Sequence, residues 1–337
     1  MDPSRRGVIT ASLYSVALTI PGWPDLVGRF EKLRTNPHLR IGMAEVHAVA
    51  AMTERISDLD DQFGGRMARP MAASFMVNTI APYLRADATE DVRKAMLSAA
   101  ADHCYLTGYM AMDERHDSLA QRYYMKALEL AGHAGDHLTY CTTLRGMSVQ
   151  AVDLGHGDTA LRFADAASAA SPQAGPRMRA FLAGQQAHTT AQTGDKAGAL
   201  HHLRIAEVAM EQAESKAKAF GSYDPSSLAY HEAKVRWELG DKTGAITAME
   251  ASDRLRYSVY VRNRVRMTGM LAEWKLQAGR LEEACADWHR ALDDYPTIQS
   301  GRADDRFRSM LAMIKPHQRN RHARDLRDRA QLMTKAA

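Results

Sequence analysis

The stretch Gly279-Arg280-Leu281-Glu282-Glu283-Ala284-Cys285-Ala286-Asp287-Trp288-His289-Arg290-Ala291, with Pro296 five residues further on, decides the reading of the whole chain. Its spacing is a turn residue, an Ala five later, a bulky residue four after that, and a small residue three further. The same spacing recurs as Arg115, Ala120, Tyr124, Ala127; Gly155, Ala160, Ala164, Ala167; Gly194, Ala199, Leu203, Ala206; and Gly240, Ala245, Met249, Ser252. Offsets of three and four place these side chains on one helix face. The turn glycine ends a first helix in a left-handed conformation. The Ala lets a second helix approach the first, and the bulky residue fills the next layer. The anchoring alanines are 40, 39, 46 and 39 residues apart. A period near 40 predicts helical hairpins stacked into a solenoid.

Composition agrees. Among 337 residues there are 14 Val and 9 Ile against 19 Met and an Ala-rich background, too few strand formers for several buried strands, so the chain reads as all-α. Three well-separated cysteines, Cys104, Cys141 and Cys285, exclude a disulfide framework and a CxxC pair and suit a reducing compartment.

The organisation follows from the repeat. Residues 1–40 form a leading segment or linker, 41–90 a divergent N-terminal hairpin, 91–300 five hairpins and 301–337 basic C-terminal capping helices. In the divergent hairpin, Met43, Val46, Val49, Ala50, Leu59 and Phe63 lie near one stripe, with the turn at Gly64-Gly65. The C-terminal segment holds 10 basic and 4 acidic residues and reads as a solvated face. Ser4-Arg5-Arg6-Gly7 before the apolar run Ala11 to Ile20 resembles a twin-arginine export signal in outline, but no small-x-small site precedes Pro21-Gly22-Trp23-Pro24. No stretch has the apolar length of a membrane span, and the expected location is the cytoplasm.

The repeat resembles the tetratricopeptide repeat (TPR), which has a small residue in its first helix and then Ala, an aromatic, Ala and Pro at these offsets. Gly108, Ala233 and Ala272 occupy the small position, and Pro172 and Pro296 the last. The resemblance implies a right-handed α-solenoid of TPR-like helical hairpins. Four further runs are Ile41-Gly42-Met43-Ala44-Glu45-Val46, Asp58-Leu59-Asp60-Asp61-Gln62-Phe63-Gly64-Gly65, Ala120-Gln121-Arg122-Tyr123-Tyr124 and Leu161-Arg162-Phe163-Ala164. Together they resemble the regulatory region of actinobacterial helix-turn-helix regulators of the XRE type, from about Arg5 to about Leu326. The resemblance implies a TPR-like sensor region for a ligand or partner in a transcriptional regulator, acting as a homodimer through 254–266 and the C-terminal helices. No DNA-binding helices fit before Trp23, so these residues are not expected to bind DNA directly. A protein-protein scaffold or chaperone-like adaptor unconnected to DNA binding is the second reading.

Motifs for chemistry are weak. Asp58, Asp60 and Asp61 have oxygen ligands for a divalent cation, but no second acidic cluster can be placed opposite, and a solvated helix end is the simpler reading. His133 and His137, His201-His202, His231-Glu232 and Gly155-His156-Gly157-Asp158 match no metal or phosphate motif and read as surface or turn residues. No catalytic residue, metal or cofactor is assigned, and the chain reads as non-enzymatic. If first helices line the concave face, Tyr105, Tyr109, Arg145, His188, Gln192, Tyr230, Lys234, Trp237 and Arg266 point into the groove. Aromatic, Arg and amide side chains there suit a peptide, a small molecule or a protein segment. The turn-rich Phe220-Gly221-Ser222-Tyr223-Asp224-Pro225 forms a lip of that groove.

Overall fold

A computed structural model describes residues 40–170, 174–213 and 223–336. The leading segment up to Leu39, with its twin-arginine-like run, Pro172 and the stretch Phe220 to Ser222 lie outside the described residues. The described residues form fourteen long helices, with no strand beyond one isolated bridge between Arg40 and Asp87. They are α1 (Met43–Phe63), α2 (Gly65–Phe75, continued through a π turn at Met76–Ile80), α3 (Glu90–Asp113), α4 (Asp117–Ala134), α5 (His137–Asp153), α6 (Gly157–Ala169) and α7 (Pro176–Gln192), followed by α8 (Lys196–Glu211), α9 (Pro225–Glu238), α10 (Lys242–Leu255), α11 (Val261–Gln277), α12 (Leu281–Asp294), α13 (Gly301–Ile314) and α14 (Arg321–Ala336). Sequence neighbours pack as pairs: α3 with α4, α5 with α6, α7 with α8, α9 with α10, and α11 with α12.

The repeat positions do what their chemistry demands. The five turn residues Arg115, Gly155, Gly194, Gly240 and Gly279 have φ of 68°, 76°, 85°, 87° and 79°. Arg115 is the one non-glycine there, and its ion pairs with Asp305 and Asp153 offset a left-handed cost of about 1–2 kcal/mol. Ala120, Ala160, Ala199, Ala245 and Ala284 are all fully buried, as are Tyr124, Met249 and Trp288 one turn on. A Cβ on Gly108 would lie 2.9 Å from the ring of Tyr124, which is why the small position is small.

The N-terminal pair departs from expectation. The stripe that α1 buries is Val46, Val49, Thr53, Ile56 and Asp60, while Met43 and Phe63, at the two helix ends, are exposed. Thr53 donates its hydroxyl to His103 Nδ1 at 2.9 Å, and His103 Nε2 donates to the Ala72 carbonyl at 2.9 Å. These bonds tie α1 and α2 to α3. Burial holds the His103 pKa down to about 4, so the ring is neutral at pH 7.

The chain then closes on itself. Helix α1 packs against α11, and α13 packs against α11 as well. The Gln299 N–H donates to the Phe63 carbonyl at 2.6 Å, and the Arg66 N–H donates to the Gln299 carbonyl at 3.1 Å. Gly64-Gly65 is therefore more than a turn. A Cβ on Gly64, whose φ is 92°, would sit 2.5 Å from the Gln299 carbonyl oxygen, and one on Gly65 would sit 2.5 Å from that of Met110. Across this seam the Arg262 guanidinium meets Asp60 at 2.8 Å, Asp61 at 3.2 Å and Asp113 at 3.4 Å. Asp113 also accepts from Ser300 Oγ at 2.8 Å and from the Gly65 N–H at 3.1 Å.

Two expectations are corrected here. Asp60 is not part of a solvated helix end. It is buried against a cation, because it falls on the inward face of α1. The C-terminal segment is a solvated basic face only in part. Arg308, Lys315, Arg319, Arg321 and Arg324 are exposed, but Arg302 pairs with Asp153 at 2.5 Å, Arg306 with Glu273 at 2.5 Å and Arg329 with Asp293 at 2.6 Å, since carboxylates of α5, α11 and α12 lie within reach of α13 and α14. Within 254–266, Arg262 and Val265 are buried inside the chain. No described helix is long and apolar enough to cross a membrane.

Candidate functional site

The first helices of the five pairs converge on one cavity of about 120 Å³. Helix α3 supplies Tyr109, α5 supplies Arg145, Val149 and Asp153, and α7 supplies Phe181, Gln185 and His188. Helix α9 and the residue pair before it add Tyr223, Ser227, Tyr230 and His231, and α11 adds Asn263, Arg266 and Met267. Arg256, at the end of α10, and Arg302, from α13, complete the wall. The lining thus draws on residues from Tyr109 to Arg302, and closure of the seam brings its two ends together.

The wall is held by local packing. Arg145 lies flat on Phe181, with its guanidinium carbon 4.0 Å from the ring centre, and Phe181 packs edge-on to Tyr223 with centres 5.4 Å apart. Gln185 donates to Ser148 Oγ at 3.0 Å, and Ser148 donates in turn to the Ala160 carbonyl at 2.7 Å, which fixes α7 on the second pair. Gly184 is needed where α7 meets α9. A Cβ there would sit 2.4 Å from the Tyr223 hydroxyl and 2.5 Å from His231 Nδ1.

The electrostatics are lopsided. Four guanidinium groups, Arg145, Arg256, Arg266 and Arg302, share the lining with one carboxylate, Asp153. That carboxylate is engaged by Arg302. Among the described residues no carboxylate approaches Arg145, Arg256 or Arg266 within ion-pair distance, although Arg256 Nη2 donates to Ser252 Oγ at 2.8 Å. The Nε atoms of all three arginines, Nη1 of Arg302 and Nε2 of His231 are buried without a hydrogen-bond partner. Burial, reinforced by the charge of Arg145, holds the His231 pKa well below its ordinary value, so this ring is neutral at pH 7. Its Nδ1 shares a 2.9 Å hydrogen bond with the Tyr223 hydroxyl. His188 is likewise kept neutral, its pKa lowered to about 4 chiefly by burial, and its Nε2 stands 3.8 Å from Glu238.

Of the nine side chains expected in the groove, Tyr109, Arg145, His188, Tyr230 and Arg266 line the cavity. The others lie elsewhere. Tyr105 is buried behind the wall against Tyr109 and Tyr124. Trp237 stacks on Trp274 with ring centres 4.4 Å apart, and Lys234 pairs with Glu238 at 3.4 Å over that same Trp274. Gln192, at the end of α7, does not reach the lining. Sequence reasoning missed His231, Arg256 and Arg302. His231 reads from sequence as a surface or turn residue, yet it is fully buried beside Tyr223, because α7 packs onto it at Gly184. Among the described residues no cluster of three or more His, Cys, Asp or Glu is arranged to hold a metal ion. Compared with models of known protein families and with curated protein sequences, the chain matches none.

Proposed function

We propose that this chain is a TPR-like binding module, the ligand-sensing region of a transcriptional regulator, and that its ligand is a small molecule taken into the central cavity. One observation carries the reading. All five helix pairs and α13 contribute to a single cavity wall in which several buried donor atoms have no partner among the described residues. Buried polar atoms in folded proteins are nearly always satisfied, and a cluster of exceptions in one cavity is what a binding site presents. The cavity's size favours a compact molecule over the extended peptide that an open solenoid groove would take. The right-handed TPR-like geometry and the link to transcription rest on the repeat register and on the regulator resemblance.

The sensing step follows from the seam. Arg302 belongs both to the cavity wall and to α13, and Tyr109 lies between the cavity and the Arg262 cluster, 5.5 Å from that guanidinium. A ligand that prefers the closed arrangement shifts the population toward it by its differential affinity. A thermal-shift screen of small metabolites, followed by calorimetry on any hit, tests the module. The expected result is a saturable rise in melting temperature that Val149→Trp, which fills the cavity, removes. Binding that persists unchanged in a folded Val149→Trp protein would place the ligand elsewhere.

A further inference from the structure

Resting on the cavity as the ligand site, we infer that the ligand is a small organic oxyanion with at least two negative charges, a phosphate ester or a dicarboxylate, gripped by Arg145, Arg256 and Arg266. Three guanidinium groups from three different helix pairs face one space, and among the described residues the one carboxylate in its lining is committed to Arg302. Arg256 feels Asp224 and Asp253 only at a distance; cations without a carboxylate in ion-pair contact are unfavourable in a partly dehydrated site, and an anion with matched charge removes that penalty. Guanidinium forks present paired N–H donors at the geometry of carboxylate and phosphoryl oxygens, and Arg145, flat on Phe181 and hydrogen-bonded to Tyr105, keeps a buried Nε without a partner among the described residues.

His231 refines the assignment. The Tyr223–His231 hydrogen bond can run in either direction, and an oxyanion selects one of them. With Tyr223 donating to Nδ1, the neutral ring carries its hydrogen on Nε2, the buried atom that lacks a partner, and donates it to the ligand. The rest of the wall, with Val149, Met267 and the rings of Phe181 and Tyr230, suits a short carbon frame. Two anionic groups on such a frame engage arginines from different pairs at once, which a single inorganic ion spans less well. Cationic ligands are repelled by the same lining.

The test uses the full chain with glycerol 3-phosphate and succinate as probes, each at about 1 mM, where general salt effects on stability are small. Glycerol and putrescine serve as neutral and cationic controls in chloride of matched ionic strength. The expected result is saturable binding of one or both dianions by calorimetry, weakened at least tenfold between 50 and 500 mM NaCl, with no binding of either control. Which probe binds separates the phosphoryl from the dicarboxylate source. Arg266→Gln and Arg145→Gln should each lose tenfold or more in affinity. Arg266→Gln should melt no lower than the parent protein without ligand, because it removes an unneutralised charge, whereas Arg145→Gln also gives up its stack on Phe181 and is compared as folded protein. Arg256→Gln provides a third variant should either of those fail to fold. Dianion binding of equal strength in the parent and in the folded Gln variants would overturn the assignment, as would no dianion binding at all. A neutral compound whose binding Val149→Trp abolishes would overturn the anion assignment and uphold the cavity.

Discussion

Arg262 and Asp60 are 202 positions apart in the chain, and the guanidinium Nη2 of one stands 2.8 Å from the carboxylate of the other. Both are buried, at 3% and 5% exposure, and the same guanidinium also serves Asp61 and Asp113. The pair joins the N-terminal helices to the fifth helix pair, so the curvature of the stack is set by a covalently remote contact as well as by neighbour packing. One arginine facing three carboxylates leaves the seam with an excess of acidic groups. That excess makes it sensitive to substitution and to pH.

Arg262→Met should therefore cost about 3–5 kcal/mol, the usual consequence of leaving buried carboxylates without their cation. Urea denaturation followed by circular dichroism measures it. Adding Asp60→Leu to Arg262→Met should recover part of the loss, because a buried polar carboxyl left without its hydrogen-bond partner is removed as well. An unchanged midpoint in Arg262→Met would mean that the seam is not closed in solution.

The pH dependence has two limbs of opposite sign. Burial, aided by the neighbouring Asp113 and Asp61, pushes the Asp60 pKa up to about 8 despite Arg262. In the unfolded chain Asp60 ionises near 4, so its contribution is fully present below that value and is lost as pH rises through about 8, by about 1.4 kcal/mol per pH unit. His103 and His188, held down to about 4, act in the other direction. Their contribution is present above the unfolded pKa near 6.5 and is lost as pH falls toward 4. Stability should peak near pH 6–7. Asp60→Asn, which keeps the protonated form's shape, should flatten the decline between pH 7 and 8 while leaving the acid limb in place. Midpoints measured across pH 4–9 for both proteins provide the comparison.

The repeat made the helix pairs legible because it is written in residues whose roles are local. A glycine that turns left and an alanine that admits a neighbouring helix leave a fixed spacing wherever they occur. The seam left no such mark. Asp60 lies on the same heptad-like stripe as Val46, Val49, Thr53 and Ile56, and a carboxylate on an inward stripe is a signal of a buried partner. Its partner, 202 residues away, has no sequence relation to it. The cavity was half legible for a related reason. Register identified the inward faces of the first helices, which yielded Tyr109, Arg145, His188, Tyr230 and Arg266. It did not say how far along each helix the wall extends, nor that closure brings Arg302 to the opposite side. Trp237 and Lys234 are on the right helix and belong to its other end, where the fourth and fifth pairs meet.

Gly65→Ala should destabilise the closed form by about 1–3 kcal/mol, since a Cβ at 2.5 Å from a backbone carbonyl has no rotamer by which to escape. Gly65 and Arg262 guard the same seam, and Asp113 touches both. The double variant Gly65→Ala with Arg262→Met should consequently lose less than the sum of the single losses. Additive losses in denaturant midpoints would separate the glycine contact from the ionic one.

Trp237 allows a sharp test of where the wall ends. Its ring lies parallel to that of Trp274, 4° between planes, with Lys242 Nζ 5.7 Å from its centre, and none of these contacts reaches the cavity. Trp237→Ala should cost about 3–5 kcal/mol of stability, as large-to-small changes at packed aromatic sites do. At a temperature where the variant remains folded, its affinity for whichever dianion binds the parent protein should change less than twofold. Arg266→Gln should show the reverse pattern, with stability kept and affinity lost. Melting curves and calorimetry on the same two proteins decide the matter. A large affinity loss in folded Trp237→Ala would extend the site along α9 toward Trp274 and make the stacked pair part of the ligand's wall.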